Sequence, residues 1–236
     1  STWLRHQSRD DYWKHGSVCE DYTAIKAKVL AVGGWGDAYK NAVPQIVRHI
    51  PGAKGIVGPW EHLYPHFAKP APAIGFLQEM KRWFDRYLKG EANGVDDDPA
   101  YVAYLMDGVP PRPKYDERPG RWIAERTWPA KTHATRRIYL TNHGLFEQEG
   151  ACELEVAPDL LCGAATGEYF AFGFEPGEYA TDQSVDDERC LALQGLPVEQ
   201  PRDIVGAPRL RLTLAADQTF GQLAVRLSDV APNGEA

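Results

Sequence analysis

Residues 28–62 read KVLAVGGWGDAYKNAVPQIVRHIPGAKGIVGPWEH. This stretch contains two short apolar runs, at 29–32 and 55–57, which are rich in β-branched residues and bounded by Gly or Lys. Such runs are typical of strands that are buried on both faces of a parallel sheet. A helix-sized segment lies between them, with Pro44 near its start and apolar residues at helical spacing. The sequence therefore predicts a strand, a crossover helix and a second strand parallel to the first.

Each predicted strand ends in a turn of Gly and Trp that carries one residue suited to acid–base chemistry. The first turn holds Asp37 and the second holds His62. Ligands of open α/β sheets bind beyond the carboxyl ends of the strands, so consecutive strands would bring these two side chains together. An Asp before a His is also the chain order of the last two members of an α/β-hydrolase triad. In that interpretation His62 is the general base and then the general acid, while Asp37 holds its tautomer.

Ordinary structural interpretations of the same residues stay open. An Asp in a strand-to-helix turn is often a helix N-cap, and a His after a strand is often a hydrogen-bonded loop residue. Trp35 and Trp60, which flank the two turns, also allow two interpretations. They either bind substrate by walling an acyl pocket or pack in the core.

The two turns resemble those of the CocE/NonD family of serine hydrolases, the acyl esterases related to Xaa-Pro dipeptidyl-peptidases. That family places its triad Asp in a Gly-Trp-x-Asp turn, which matches residues 34–37, and its triad His in a Gly-Pro-Trp-x-His turn, which matches residues 58–62. The second motif is specific, because four of its five positions are fixed and it follows the first at the right distance. The resemblance continues through 76–88 and covers nearly the whole chain.

The resemblance implies an α/β-hydrolase core in which Asp37 and His62 belong to a Ser-His-Asp triad. It implies a small ester, an amide or a short peptide as substrate, including Xaa-Pro peptides, and no cofactor. Dedicated Xaa-Pro peptidases usually carry a different His turn, so the form seen at 58–62 favours esters or amides of carboxylic acids.

A serine triad also needs its serine, and the Gly-x-Ser-x-Gly pattern of a nucleophile elbow does not occur in this sequence. The serines are Ser1, Ser8, Ser17, Ser184 and Ser228. We therefore expect the chain to be an internal piece of a longer hydrolase, with its nucleophile upstream, and to be inactive alone. Cys19 lacks an elbow too, which disfavours it as a replacement nucleophile. The competing hypothesis is a non-catalytic β-sandwich binding module attached to a degenerate hydrolase piece.

The clearest predicted helix covers residues 75–90. Its apolar residues recur at helical spacing on one face, and Gly90 is a natural residue to end it. The apolar set is Phe76, Leu77, Met80, Trp83, Phe84, Tyr87 and Leu88. We expect this face to be buried against the sheet, so that the helix closes the hydrolase half.

A polar, acidic segment at 91–99 separates two regions of different character, and the predicted fold class is α/β followed by all-β. Residues 1–27 are assigned to the end of a cap region and the lead-in to the core, and residues 28–92 to the C-terminal part of the α/β-hydrolase domain. Residues 99–236 are assigned to a partial jelly-roll β-sandwich. Strand-like runs in that last region lie at 100–106, 121–128, 136–141, 168–172, 208–215 and 222–230.

The composition excludes several classes of function. The net charge is −7 with both signs interspersed, which disfavours nucleic-acid binding, and the longest apolar runs are too short to span a bilayer. The four cysteines show no C-x-x-C spacing, so they predict neither a zinc site nor a disulfide framework. No nucleic-acid or membrane partner is predicted, and homo-oligomerisation is left open.

Metal binding is disfavoured at the two places that carry potential metal ligands. Pro65 lies between His62 and His66, which argues against a helical pair of metal ligands there. The acidic run at 182–188 fits no EF-hand and is expected to be a solvated loop. We therefore predict no metal.

Overall fold

The computed structural model describes residues 1–150, 152–157, 159–219 and 221–236. The α-helices are α1 (Asp11–His15), α2 (Ala42–His49), α3 (Phe76–Lys89) and α4 (Ser184–Asp187). The strands are β1 (Leu30–Gly34), β2 (Lys54–Gly58), β3 (Tyr101–Met106), β4 (Gly120–Glu125), β5 (Tyr139–Thr141) and β6 (Gly144–Phe146). Single turns of 3-10 helix cover Trp3–Arg5, Val18–Glu20, Tyr22–Ala24 and Val95–Asp97. None of the helices in these residues is both long and apolar enough to cross a membrane.

The predicted strand–helix–strand unit is confirmed. β1 and β2 pair in parallel, with Leu30 opposite Lys54 and Gly34 opposite Gly58, and α2 connects them. β3 adds in parallel to β2, and β4 completes the sheet in antiparallel orientation, giving the order β1-β2-β3-β4. Because β1 and β2 are in register to their last residues, the turns that follow them leave the same edge of the sheet side by side.

The core of this unit lies between α2 and the sheet. Val43 and Val47 are the buried residues of α2, and they cluster with Val57 and Tyr101 of the strands. Gly55 of β2 lets the helix approach closely, because a Cβ at this position would lie 2.6 Å from Cγ2 of Val47. Burying each valine contributes roughly 1.5–3 kcal/mol, so this packing fixes α2, and with it the β1–α2 turn, on the sheet.

The predicted helix at 75–90 is present as α3, but its apolar face is not buried as predicted. The end is correct, since Gly90 has a φ of 77° and its N–H donates to the carbonyl of Arg86. Trp83 is buried. Several predicted core residues are exposed, namely Leu77, Phe84 and Leu88. Periodicity specifies that a helix has an apolar face but not what covers that face, and here Trp83 is the only buried apolar residue of α3.

The sheet includes strands from both sides of the polar segment at 91–99. β3 pairs with β2 from Gly55 opposite Tyr101 to Val57 opposite Ala103. The strands that follow the segment therefore extend the α/β sheet. The three domain ranges given above stay predictions.

Strands beyond β4 are fewer than predicted. The run at 136–141 is represented by β5, which forms a hairpin with β6. Among the described residues no strand forms at 168–172, 208–215 or 222–230, so those three strand predictions are wrong. The alternating side chains of the last two runs are exposed, as at Leu210, Leu212, Leu214, Leu223, Val225 and Leu227. Alternation favours a strand only where a neighbouring strand pairs with it, and the jelly-roll stays a prediction.

The acidic run at 182–188 is not the solvated loop that its composition predicts. It contains α4, and Asp186 within it is 1% exposed. The Asp186 carboxylate accepts the N–H of Ala165 at 3.0 Å and lies 3.6 Å from the guanidinium of Arg226. A buried carboxylate requires such partners, and composition could not reveal them because they come from distant parts of the chain.

The N-terminal region is made of short helical turns. Within residues 1–27, three single turns of 3-10 helix accompany α1. Trp3 and Leu4 of this region are 67% and 73% exposed.

Candidate active site

The parallel register of β1 and β2 brings the Asp and His turns into contact. The N–H of Gly36 in the first turn donates to the carbonyl of Trp60 in the second at 3.0 Å. Across this junction, Oδ2 of Asp37 lies 2.9 Å from Nδ1 of His62. The structure thus joins the two residues that the motifs single out.

The hydrogen-bond chemistry of the pair fixes the tautomer of the histidine. A carboxylate accepts hydrogen bonds and has none to donate, so the proton between the two side chains belongs on Nδ1 of His62. Nε2 then carries the free lone pair, as a general base requires. The Asp37 side chain is 14% exposed and that of His62 is 41% exposed, so a sheltered acceptor orients an imidazole that solvent and ligands can reach.

The N-cap interpretation of Asp37 is wrong, because α2 begins at Ala42 and Asn41 takes the N-cap position. The second oxygen of Asp37, Oδ1, instead accepts the backbone N–H of Tyr39 at 2.8 Å within the preceding turn. One oxygen therefore holds the local turn while the other faces His62.

Two glycines make the close approach of the turns possible. A Cβ on Gly34 would overlap the backbone carbonyl of Trp60, and a Cβ on Gly36 would overlap the Glu61 carboxylate. A side chain at either position would push Asp37 away from the His turn.

The two flanking tryptophans have different environments. Trp60 is 0% exposed, and its indole N–H donates to the carbonyl of Pro72 at 2.8 Å. Trp35 is half-buried, packs against the core cluster and donates to the carbonyl of Tyr104 at 2.7 Å. Burial of Trp60 favours the core-packing alternative for that residue, and the substrate-binding role of both stays a prediction.

A segment far downstream, residues 168–178, covers one side of the site. The N–H of His62 donates to the carbonyl of Ala171 at 3.1 Å. The rings of Phe170 and Phe172 lie 4.3 Å and 5.8 Å from the His62 ring, between centroids, and Tyr39 stands edge-on to the same ring at 6.0 Å. The imidazole is therefore surrounded by aromatic side chains that limit its rotation. Sequence reasoning predicted a strand at 168–172 but no contact with the site, and no local signal indicated that contact.

A buried carboxylate, Glu61, lies directly beside the His turn. It is 3% exposed, and burial raises the pKa of its carboxyl above the ordinary value, an effect that Glu178 and Asp37 reinforce. Lys40 and Tyr179 lower the pKa of Glu61 and so partly offset this effect. The Tyr179 hydroxyl does so from nearby, without a hydrogen-bond partner among the described residues. The surroundings of Glu61 thus disfavour its ionised form.

We expect Glu61→Gln to become increasingly stabilising as the pH rises. A carboxyl whose pKa is raised on folding holds its proton more tightly in the folded state, so stability falls as the pH rises from the unfolded-state value near 4.5 through the folded-state pKa. The neutral amide removes that loss. Urea unfolding of both proteins between about pH 3 and pH 8 measures the difference in unfolding free energy.

Glu178 is a control for that experiment, because its pKa is shifted in the opposite direction to that of Glu61. Burial acts to raise the pKa of Glu178, but hydrogen bonds from four backbone N–H groups outweigh it and lower the pKa below the ordinary value. Its contribution to stability is therefore lost as the pH falls below about 4.5. A Glu61→Gln difference that stays flat with pH contradicts the burial argument.

Two other chemistries, metal binding and a cysteine nucleophile, can be compared with the geometry. Among the described residues, no group of three or more His, Cys, Asp or Glu side chains could hold a metal ion. His66 instead stacks against Phe76, 6.2 Å between ring centroids. Cys19 is exposed in the turn Val18–Glu20, without a strand-to-helix elbow.

Comparison with known proteins identifies the family. Residues 93–236 match the family model of the X-Pro dipeptidyl-peptidase C-terminal non-catalytic domain, and residues 1–64 match that of the X-Pro dipeptidyl-peptidase S15 family. The chain therefore belongs to the X-Pro dipeptidyl-peptidase family, a family of hydrolases. Both Asp37 and His62 lie within the part that matches the peptidase family.

The curated relatives agree with this assignment. The chain is 27% identical over 232 residues to the Xaa-Pro dipeptidyl-peptidase of Lacticaseibacillus casei (strain BL23), and 26% identical over 232 residues to that of Lacticaseibacillus rhamnosus. Each alignment covers 93% of this chain and 26% of the relative, so the chain spans about a quarter of the length of these proteins. A crystal structure of a CocE/NonD family hydrolase from Staphylococcus aureus is 21% identical and covers 62% of this chain and 25% of that chain, with a TM-score of 0.49.

Proposed function

We propose that this chain supplies the general base and its orienting carboxylate to a serine hydrolase whose nucleophilic serine lies outside these 236 residues. The observation that carries the proposal is the 2.9 Å contact between Asp37 and His62 at the carboxyl ends of adjacent parallel strands. In this proposal the chain alone is inactive, because it contributes two of the three triad members.

The reaction is acyl transfer in two halves. Nε2 of His62 takes the hydroxyl proton as the serine oxygen attacks the substrate carbonyl, and the same nitrogen then gives that proton to the departing amine or alcohol. A water molecule repeats the sequence on the acyl-enzyme, which releases the carboxylic acid and restores the serine. Throughout, Asp37 holds the Nδ1 proton and stabilises the imidazolium that forms.

We propose short peptides with an Xaa-Pro N-terminus as the first substrate class and simple carboxylic esters as the second. The curated relatives are named Xaa-Pro dipeptidyl-peptidases, which favours the peptide class. The Gly-Pro-Trp-x-His turn at 58–62 favours the ester class. The exposed aromatic side chains of Tyr39 and Phe172 around His62 offer apolar surface to either.

The test is hydrolysis by the intact gene product of two chromogenic substrates, a Gly-Pro p-nitroanilide and a p-nitrophenyl ester. We expect turnover of at least one, and a loss of several orders of magnitude in kcat on His62→Ala, because the general base is removed. His66→Ala is the matched control, since His66 is an exposed histidine four residues further on. Equal loss in both variants, or no loss in His62→Ala, refutes the proposal and favours the non-catalytic module.

A further inference from the structure

The carboxylate of Glu178 organises the segment that lies against His62. Its two oxygens accept four consecutive backbone N–H groups, those of Phe172, Gly173, Phe174 and Glu175. The last two of these bonds measure 3.0 Å and 2.6 Å. Glu178 is 8% exposed, so the charge is buried and its acceptor sites are used by one turn. We call residues 172–175 the Glu178 turn.

The Glu178 turn is packed directly against the base of the His turn. Gly173 has a φ of 82°, and a Cβ there would lie 3.2 Å from Cγ of Glu61 and 3.1 Å from Cβ of Lys69. The residues just before the turn make the contacts with the catalytic histidine, through the carbonyl of Ala171 and the ring of Phe170. A displacement of the turn would therefore displace both contacts.

We propose that Glu178 is a positioning residue for the His62–Asp37 pair, a role that rests on the function proposed above. By holding the turn it fixes the carbonyl that accepts the His62 backbone N–H and the aromatic ring that covers one side of the imidazole. The Asp37 carboxylate fixes one ring nitrogen, and Phe170 keeps the 41% exposed ring from rotating away from it. In this proposal Glu178, from the downstream half of the chain, sets the orientation of His62 in the upstream half.

The four N–H donors explain why a carboxylate is needed at this position. A carboxylate offers two oxygens that accept several hydrogen bonds, whereas the amide of Gln offers one oxygen and two donor hydrogens. In Glu178→Gln, two of the four N–H groups, which are buried or partly buried, therefore face a donor and lose their acceptor. An N–H that is shielded from water and has no partner is unfavourable, so the turn moves toward solvent while the size of the side chain is unchanged.

The direct test observes the histidine in the 236-residue chain and does not depend on the missing nucleophile. Proton NMR of the chain labelled with nitrogen-15 in histidine detects the Nδ1 proton that His62 shares with Asp37. We expect this low-field signal in the wild type and in Glu168→Gln, which changes an exposed carboxylate of the same segment. We expect its loss in Glu178→Gln with the amide signals of β1 and β2 retained. Retention of the Nδ1 signal in Glu178→Gln overturns the proposal.

A second variant covers the case in which Glu178→Gln does not fold. Gly173→Ala leaves the carboxylate in place but strains the left-handed backbone and crowds Glu61 and Lys69. It displaces the turn alone, so it should also remove the Nδ1 signal of His62. A folded Gly173→Ala protein with an unchanged signal counts against the proposal.

Activity of the intact gene product separates this inference from the proposed function. We expect Glu178→Gln to lower kcat by roughly 10²-fold, the cost of a small misplacement of a catalytic group, with KM close to that of the wild type. In an Asp37→Asn background the same change should have no further effect, because both act through the orientation of His62. Additive effects overturn the positioning role. An intact protein without any hydrolase activity refutes the proposed function, while the NMR result still decides the role of Glu178.

Discussion

Asp37→Asn is expected to lower kcat of the intact protein by about 10⁴-fold, the size of the effect known for the equivalent change in chymotrypsin. The reason is the double use of the Asp37 carboxylate. Its Oδ1 accepts the Tyr39 N–H, and its Oδ2 accepts the Nδ1 proton of His62. Asn has one oxygen, which the backbone N–H of Tyr39 retains, so its NH₂ group faces His62. The histidine then accepts at Nδ1 and carries its proton on Nε2, where it cannot act as a base.

The measurement for Asp37→Asn is kcat together with the thermal unfolding midpoint. The variant keeps the shape of the side chain and the Tyr39 hydrogen bond, so we expect a folded protein with little activity. Asp11→Asn is the control, since Asp11 is a fully exposed aspartate in α1. A kcat for Asp37→Asn within tenfold of the wild type would show that Asp37 serves only the local turn that it forms with Tyr39.

Gly34→Ala is expected to have the largest effect on stability, lowering the unfolding free energy by about 3 kcal/mol, at the upper end of what overpacking costs. The added methyl group overlaps the backbone carbonyl of Trp60. That carbonyl cannot yield easily, because the Trp60 side chain is 0% exposed and hydrogen-bonded to Pro72. The β1 turn must shift instead, which also breaks the Gly36 to Trp60 hydrogen bond and separates Asp37 from His62.

Urea unfolding of Gly34→Ala and of Gly16→Ala makes the comparison specific. Gly16 has a φ of −97°, and a Cβ there meets no atom within 4 Å, so its substitution should leave stability nearly unchanged. Equal unfolding free energies for the two variants contradict the account of the tight junction between the turns.

The part of the structure that could be predicted from sequence is the part specified locally. The runs in β1 and β2 are short, apolar and β-branched, and α2 between them carries apolar residues at helical spacing. Parallel strands in register leave the sheet at one edge, so the pairing of Asp37 with His62 followed from the order of the elements. The end of α3 at Gly90 followed from the freedom of glycine at positive φ.

The features that could not be predicted depend on contacts between distant residues. The exposure of the α3 face and the absence of strands at 208–215 and 222–230 reflect which neighbours are available, a property that periodicity does not encode. β3 lies beyond the polar segment at 91–99, in the region predicted to form a separate β-sandwich, yet its backbone pairs with β2. The approach of Phe170 to His62 and the capture of four N–H groups by Glu178 arise from tertiary folding, and no motif accompanies them.

The central claim is that His62 activates a serine that belongs to the same protein but lies outside these 236 residues. Labelling of the intact gene product with a fluorophosphonate probe, followed by mass spectrometry of its peptides, tests this claim most directly. The account predicts one labelled serine in a Gly-x-Ser-x-Gly elbow outside this sequence, with labelling lost in His62→Ala and retained in His66→Ala. An unlabelled wild-type protein, or labelling that is undiminished in His62→Ala, would contradict the account.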